Sequence, residues 1–460
     1  MAYFIKRYTG LLHGLKDNQL SYEQKSLLHL LEDTNEHIFV TGKAGSGKST
    51  VLREFNKTTK KRVVVAAPTG VAALNANGQT IHSLFRLSMN LELSFSRIDK
   101  VTRNLLGNID VLIIDEISMV RVDLMDAIDK SLKKIRNSEL PFGGVKLIMF
   151  GDMYQLPPIV SDSKQLTYLN EACGGIYFFN AMVWRSTKLR IYELNEVFRQ
   201  SDDKFRNILN EIRIGKVSAK SLNILNSRFE LKLPKEDIIT LASTNSVVNR
   251  LNEDKLKALT TKEYLYKAKN DWFRKDKKLN NYDLRLKVGA QVMFTRNDSL
   301  SRYVNGTIGV VTTLRKRRIR VRVGNKVYEV ARVNWPKIEY VYNSKWKAVE
   351  EKTINLYAQY PLRLAWAVTI HKSQGQTYKT CAVDLKHGVF TSGQAYVALS
   401  RCESLNGLYL LSPIMQSDIS VDPKIINFMS KSKKVADLNL GSNLNKQSIK
   451  GLKLRLFKFK

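Results

Sequence analysis

Gly42-Lys43-Ala44-Gly45-Ser46-Gly47-Lys48-Ser49 has the spacing G-x-x-x-x-G-K-[ST] of a phosphate-binding loop and runs on into Thr50. Glycines let such a loop turn its backbone N–H groups inward, where with the following helix N-terminus they cradle anionic phosphates. In this pattern Lys48 reaches the β- and γ-phosphates of ATP and the Ser49 hydroxyl ligates Mg²⁺. A hydrolase built on this loop needs one carboxylate near the metal and another to activate water. Val111-Leu112-Ile113-Ile114-Asp115-Glu116 supplies both at the end of an apolar run. Asp115 fits the metal role, directly or through water, and Glu116 the general base. Gly151-Asp152-Met153-Tyr154-Gln155 follows a further apolar run. Its Gln155 amide can touch both a γ-phosphate oxygen and the attacking water; a surface glutamine before the Pro157-Pro158 turn is the alternative.

These groups act only if regular elements bring them together. His37–Thr41 before the loop suits a buried strand, and Ser49–Phe55 after it suits a helix. Apolar runs recur at Ile38–Val40, Val63–Ala67, Val111–Ile114 and Val145–Phe150, with helical spacing at Ser21–Leu31 and Asp123–Arg136. Strands alternating with helices imply a parallel sheet with its site at the strands' carboxyl ends. A second αβ series begins near Leu189, with helices at Phe205–Gly215 and Ser246–Leu259 and strands at Ile238–Ser243, Asn355–Tyr357, Thr380–Asp384 and Gly407–Leu411. Between 288 and 350 the alternation in Ile319-Arg320-Val321-Arg322-Val323 and the glycines at 306, 309 and 324 predict a small inserted antiparallel barrel.

The 460 residues carry 75 Lys and Arg against 42 Asp and Glu, a formal charge of +33. That excess favours a polyanionic partner, nucleic acid first and an anionic membrane second. No long basic amphipathic helix serves the membrane reading, and no run of eighteen apolar residues predicts a membrane span. The three cysteines, Cys173, Cys381 and Cys402, are scattered, which argues for a reducing compartment and against a zinc site or disulfide frame. Residues 1–16 hold three bases and no acid, as a targeting presequence or an ordinary arm would. From Lys431 onward nine Lys or Arg accompany one acid, Asp437, and predict a mobile basic tail.

Seven ordered segments carry a resemblance: GKAGSGKST, APTGVAALNANGQTIHSLF, IIDEISMV, PFGGVKLIMFGDMYQLPP, LNEVFRQ, LRLAWAVTIHKSQGQT and GQAYVALSRC. From about Leu20 to Leu411 the chain resembles the petite-integration-frequency (Pif) DNA helicases, superfamily-one B-type motors related to RecD and the phage Dda helicase. Asp126–Arg136 occupies the position of the family's signature helix and matches it loosely.

The resemblance implies an α/β fold of two RecA-like parallel-sheet lobes of the P-loop NTPase class, with ATP between them. Residues 1–86 and 108–190 would form the first lobe, with a wedge insertion at 87–107. Residues 191–294 and 361–430 would form the second, with an SH3-like β-barrel at 295–360; 431–460 is the basic tail, and Arg315–Arg318 in the barrel is either a contact for duplex or the displaced strand or a solvated charged loop. It also implies a monomeric, ATP-driven 5′-to-3′ motor on single-stranded DNA and forked duplex, with G-quadruplex and RNA–DNA hybrid as further substrates. DNA replication, repair, recombination or telomere maintenance are the implied settings. Its compartment would be intracellular: cytoplasm or nucleoid in a bacterial or viral setting, nucleus or mitochondrion in a eukaryote. By residue, Gln24 resembles the adenine-reading glutamine, Arg199 and Arg401 the two γ-phosphate arginines, and Gly375, Gln376 and Thr377 a segment approaching nucleotide. Pro68, Thr69, Gly70, Thr80 and His82 resemble the first lobe's DNA contacts, with a structural histidine the alternative for His82; Thr244, Asn245, His371, Lys372 and Ser373 resemble the second lobe's, and Phe85 is a candidate either for base stacking or for a buried core position. A nucleic-acid scaffold with a vestigial motor, or the same motor on RNA or a protein–DNA complex, are the competing readings. Intact Lys48, Asp115, Glu116, Arg199 and Arg401 argue against the scaffold.

Overall fold

The computed structural model describes residues 20–87, 98–160, 162–200, 202–234, 238–268, 283–296, 298, 300, 302–431, 433–434 and 454–457. The N-terminal arm and the tip of the expected wedge (88–97) lie outside them. An eight-stranded sheet frames the first lobe, in the order Lys433–Lys434, Leu454–Phe457, Leu189–Leu194, His37–Gly42, Lys146–Phe150, Val111–Ile114, Val63–Ala67, Gln79–Thr80. From Leu189–Leu194 onward, neighbours run parallel. His37–Gly42 and Val111–Ile114 are buried at every residue, which is why they read as continuous apolar runs. Alternate side chains feed opposite faces. Ile38, Val40, Val111 and Ile113 pack under helices Tyr22–Asp33 and Lys48–Thr58, while Phe39, Leu112 and Ile114 meet Met125, Ile128, Phe178 and Trp184 on the other side.

The second lobe is a four-stranded parallel sheet, Ala367–Thr369, Ile239–Ala242, Cys381–Asp384, Leu408–Leu410. Helices Asp203–Arg213, Asn245–Ala258 and Gln394–Leu399 belong to it. Its insertion is a five-stranded antiparallel sheet, Lys326–Val330, Arg318–Val323, Ile308–Arg315, Gln291–Phe294, Leu362–Leu364, joined by the hairpin pair Glu263–Lys267 and Asp283–Lys287 around one apolar core.

Several expected boundaries move. Leu189–Leu194, most of which falls beyond the expected lobe border at 190, pairs with the phosphate-loop strand, Leu194 opposite Gly42. The insertion's sheet recruits Gln291–Phe294 and Leu362–Leu364, outside 295–360. Asn355–Tyr357 lies not in the second lobe's sheet but in a long hairpin, Val333–Asn343 with Ala348–Gln359. That hairpin reaches back to the first lobe: Tyr340 is buried in its core and donates its hydroxyl to the Asn77 carbonyl at 3.0 Å. The Asn104 amide on helix Lys100–Asn108 meets the Tyr342 carbonyl at 3.4 Å. Helix Pro423–Lys431, allotted by sequence largely to the second lobe, packs on the first. Phe428 stacks on Phe179 at 4.1 Å, and the Tyr177 hydroxyl donates to Asp422 at 2.7 Å. Part of the expected mobile tail, Leu454–Phe457, extends the first sheet antiparallel to Leu189–Leu194.

Candidate nucleotide and nucleic-acid site

The phosphate-type loop leaves His37–Gly42 and enters helix Lys48–Thr58 through Gly47, which has φ +83. Neighbouring chain segments explain its glycines. A Cβ on Gly45 would lie 2.4 Å from the Arg199 Cβ, and one on Gly47 2.2 Å from the Gln24 Nε2. Both residues also hold left-handed backbone that favours glycine. Gln24 is fixed by a capping box with Ser21: the Gln24 N–H donates to the Ser21 hydroxyl at 3.3 Å and the Ser21 N–H to the Gln24 Oε1 at 3.1 Å. The expected adenine reader therefore lies against the loop. The Lys48 ammonium donates to the Gly42 and Lys43 carbonyls at 2.7 and 3.0 Å, and burial pulls its pKa down to about 8 despite the Asp152 charge. Ser49 and Thr50 sit in the helix's first turn, Ser49 exposed. Two loop N–H groups expected to face phosphate have partners here: Ala44 donates to the Tyr396 hydroxyl at 3.0 Å and Ser46 to the Lys43 carbonyl at 3.2 Å.

Asp115 and Glu116 end the central strand Val111–Ile114, as the sequence implies. Glu116 adopts φ +50, and its N–H donates to Asp115 at 2.9 Å. Burial pushes the Asp115 carboxyl up to about 6; burial and then the Asp115 charge push Glu116 up to about 7. Gln155, on the loop after Lys146–Phe150, is buried. A side chain that the sequence reading left unassigned ties the two together: Gln374 donates its amide to Glu116 at 2.9 Å and to Gln155 at 3.2 Å.

Both expected arginines reach this cleft, Arg401 from the second lobe and Arg199 from the segment that joins the lobes. Arg199 approaches the Ser400 and Gly375 carbonyls at 3.5 Å; burial and the adjacent Arg401 depress it. Arg401, 1 % exposed, donates to the carbonyls of Val397 and Gln376 at 2.9 and 3.2 Å. Gly375 and Gln376 thus border the arginines. Sequence reasoning missed a buried link between lobes. Arg213 donates to Asp152 at 3.0 Å, pairs with Glu193 at 3.5 Å and lies over the Tyr154 ring at 4.5 Å. Tyr396 adds its hydroxyl to Asp152 at 3.4 Å. Arg213 belongs to no recognisable motif; Tyr396 stood inside GQAYVALSRC with no role attached.

The donor set fits Mg²⁺. Asp115 is a hard oxygen donor that accepts one hydrogen bond, Ser49 is exposed in the first turn of the loop's helix, and among the described residues no cluster of three metal-type ligands exists. Mg²⁺ is characteristically held by one or two protein oxygens, with phosphate and water completing its shell.

The expected DNA contacts divide. Thr69, Thr80 and Thr244 each cap a helix N-terminus, accepting from Ala72, Ser83 and Val247. Each hydroxyl proton remains available to an anion, and Pro68 and Gly70 flank the first of these caps. His82 is partly buried beside Arg121. Lys372 reaches Asn245 at 3.3 Å, and His371 lies parallel to the ring of Phe390 at 6.1 Å. Phe85 takes the core position, and the expectation for Ser373 fails. Phe85 is 1 % exposed within the first lobe's core, so its ring is not available to a base. Ser373 is fully buried and donates its hydroxyl to the Ile370 carbonyl at 2.8 Å. Phe390, 60 % exposed beside His371, is the better-placed aromatic. Arg315–Arg318 forms the tight turn between two strands of the insertion, with Arg318 paired to Glu329 at 2.6 Å. No helix among the described residues is long and apolar enough to cross a membrane.

Known proteins share this arrangement. The PIF1-like helicase family model matches residues 19–223, and the model of the Pif1 helicase 2B domain matches 275–314. The chain is 33 % identical over 445 residues to the ATP-dependent DNA helicase Pif1 of Bdellovibrio bacteriovorus, covering 92 % of this chain and 95 % of that one. Its structure resembles Bacteroides sp Pif1 in complex with ADP-AlF4, with TM-score 0.82, 36 % identity, and 90 % and 97 % of the two chains covered. Bacteroides Pif1 bound to ssDNA matches at TM-score 0.67 and 37 % identity over the same shares. With two parallel-sheet lobes, a phosphate loop, paired acids and facing arginines in place, the chain belongs to the Pif1 family of ATP-dependent DNA helicases.

Proposed function

We propose that this chain is a DNA-stimulated, Mg²⁺-dependent ATPase that translocates 5′ to 3′ on single-stranded DNA and separates forked duplex. The observation that carries the reading is the split cleft: Lys48, Asp115, Glu116 and Gln155 on one lobe face Arg401 on the other, with Arg199 on the segment that joins them and Gln374 bridging the two. Gln24 reads the adenine edge, the loop from Gly42 to Thr50 holds the phosphates, and Gly375 and Gln376 close over them. Mg²⁺, held by Ser49 and Asp115, supplies charge neutralisation at the phosphates. Glu116 takes a proton from the attacking water, which Gln155 orients. Arg199 and Arg401 meet the charge spread over the γ-oxygens, where one well-placed guanidinium contributes roughly 10³–10⁵ in rate. Closure of the lobes around ATP and release after hydrolysis move one set of backbone contacts (Pro68, Thr69, Gly70, Thr80) relative to the other (Thr244, Asn245, His371, Lys372). These are hydroxyl, amide and basic groups suited to phosphate, so the track is bound without reading sequence. The solved Bacteroides complex with ssDNA supports the choice of track. Replication, repair, recombination and telomere or G-quadruplex maintenance are the settings such a motor serves.

The test is strand displacement on matched 5′-tailed and 3′-tailed DNA duplexes, with an RNA-tailed pair alongside. The wild type unwinds the 5′-tailed DNA, whereas Lys48→Ala loses ATP turnover yet retains DNA binding by anisotropy. Preference for the 3′ tail overturns the polarity, and unwinding by Lys48→Ala overturns the mechanism.

A further inference from the structure

The segment from His371 to Gln376 touches everything the proposed cycle needs. At its outer end Lys372 meets Asn245 at 3.3 Å and His371 lies beside the exposed Phe390. The short 3₁₀ turn His371–Ser373 is pinned beneath by the buried Ser373 hydroxyl, and the Gln374 N–H closes it on the His371 carbonyl at 3.3 Å. At its inner end the carbonyls of Gly375 and Gln376 hold Arg199 and Arg401. Between the two ends, Gln374 sends its side chain across the lobe boundary to Glu116 and Gln155. At 8 % exposure, water competes poorly for that amide.

We infer that Gln374 is a positioning residue by which nucleic acid bound at His371 and Lys372 controls the general base Glu116. A carboxylate oxygen that accepts an amide N–H has one lone pair occupied and is a weaker base. While Gln374 caps the Glu116 Oε2, that oxygen is poorly placed to take a proton from water, and Gln155 is held by the same amide. Phosphate engaging Lys372 and His371 pulls on a turn only two residues from Gln374. A small rotation of that turn withdraws the amide and releases both catalytic groups together. No atom of Gln374 needs to touch DNA or ATP.

This inference rests on the DNA-stimulated ATPase reading, and the experiment separates the two. ATP turnover is measured with and without a single-stranded oligonucleotide for the wild type, Gln374→Leu and Gln374→Glu, and oligonucleotide Kd is read by anisotropy. In Gln374→Leu the DNA-free kcat rises and the ratio of stimulated to basal turnover falls at least tenfold, with KM for ATP and Kd for the oligonucleotide within twofold of wild type. Gln374→Glu keeps the size of the side chain but, as a carboxylate, cannot donate to Glu116, so its stimulation ratio falls as well, which a packing defect alone does not do. An unchanged stimulation ratio in either variant, or a ratio that falls only because Kd rises, overturns the inference. If wild-type turnover does not respond to DNA, the underlying reading fails instead.

Discussion

Replacing Arg213 by methionine removes a charge from the most enclosed ion pair between the lobes. The Arg213 and Asp152 side chains are 6 % and 0 % exposed. Methionine preserves the length and cover over Tyr154 but leaves the Asp152 carboxylate with the Tyr396 hydroxyl at 3.4 Å, the Gln155 amide at 3.4 Å and the Tyr154 N–H at 3.2 Å near its oxygens, and with the buried Lys48 ammonium as a more distant positive charge. Stranding one partner of a buried pair costs about 3–5 kcal/mol, and the compensation from Lys48 puts this case at the lower end. Glu193, 15 % exposed, can recover hydration and adds little to that cost. Asp152 belongs to the first lobe and Arg213 to the second, so the chain can relieve the charge by letting water into the cleft. The cost then appears as a shift of the closed-to-open equilibrium by roughly two powers of ten. Energy transfer between dyes at the exposed positions Tyr168→Cys and Lys220→Cys, in a Cys173→Ser background, reads that shift directly. Arg213→Met should lower transfer, and Arg213→Met with Asp152→Asn, which removes the stranded charge, should restore most of it. Unchanged transfer in the single variant, or a double variant as open as the single, would refute the argument that this pair holds the lobes together.

Further expectations follow from burial and charge. Because burial and Asp115 push Glu116 up to about 7, kcat/KM for ATP should fall about tenfold per unit as pH drops below that value; a flat profile between pH 6 and 8 rules Glu116 out as the base. The same shift, upward from 4.5, means that the folded chain binds this proton more tightly than the unfolded one. Its stabilising effect is complete below pH 4.5 and is lost as pH rises through about 7, so Glu116→Gln should raise Tm at pH 8 and leave it unchanged at pH 4.5. Phe428→Ala should destabilise the first lobe by about 3–5 kcal/mol in thermal unfolding, because a ring 2 % exposed and stacked on Phe179 is lost, whereas Ile426→Ala, 44 % exposed, should be nearly neutral.

The nucleotide half of the site was legible because its residues sit at ends of continuous apolar runs. A buried parallel strand announces itself, and the catalytic group stands where the run stops, as at Ile114-Asp115-Glu116. What stayed hidden depends on contacts between residues far apart in sequence. Nothing local marks Arg213, the last residue of an ordinary amphipathic helix, as the partner of Asp152. Helix Pro423–Lys431 shows the apolar spacing of any surface helix, and spacing cannot say which lobe receives Phe428. The burial of Phe85 and Ser373 has one cause: a motif fixes which residues approach a ligand region, while one turn of backbone decides which of them point inward. Alternation correctly showed an antiparallel insertion but was blind to its edges, because Gln291–Phe294 is buried at every position and reads like a lobe strand.

The chain passes between the lobes twice, once through 195–200 and again through 412–422 on its way to helix Pro423–Lys431. The first crossing is fastened to the phosphate loop, where the Phe198 N–H donates to the Gly45 carbonyl at 2.9 Å; the second is fastened where Asp422 accepts from Tyr177. Two fixed pins define a door's axis, and a swing of the second lobe about the line joining them leaves both fastenings in place. Since one pin bears on the loop itself, whatever seats or vacates that loop is felt at the hinge.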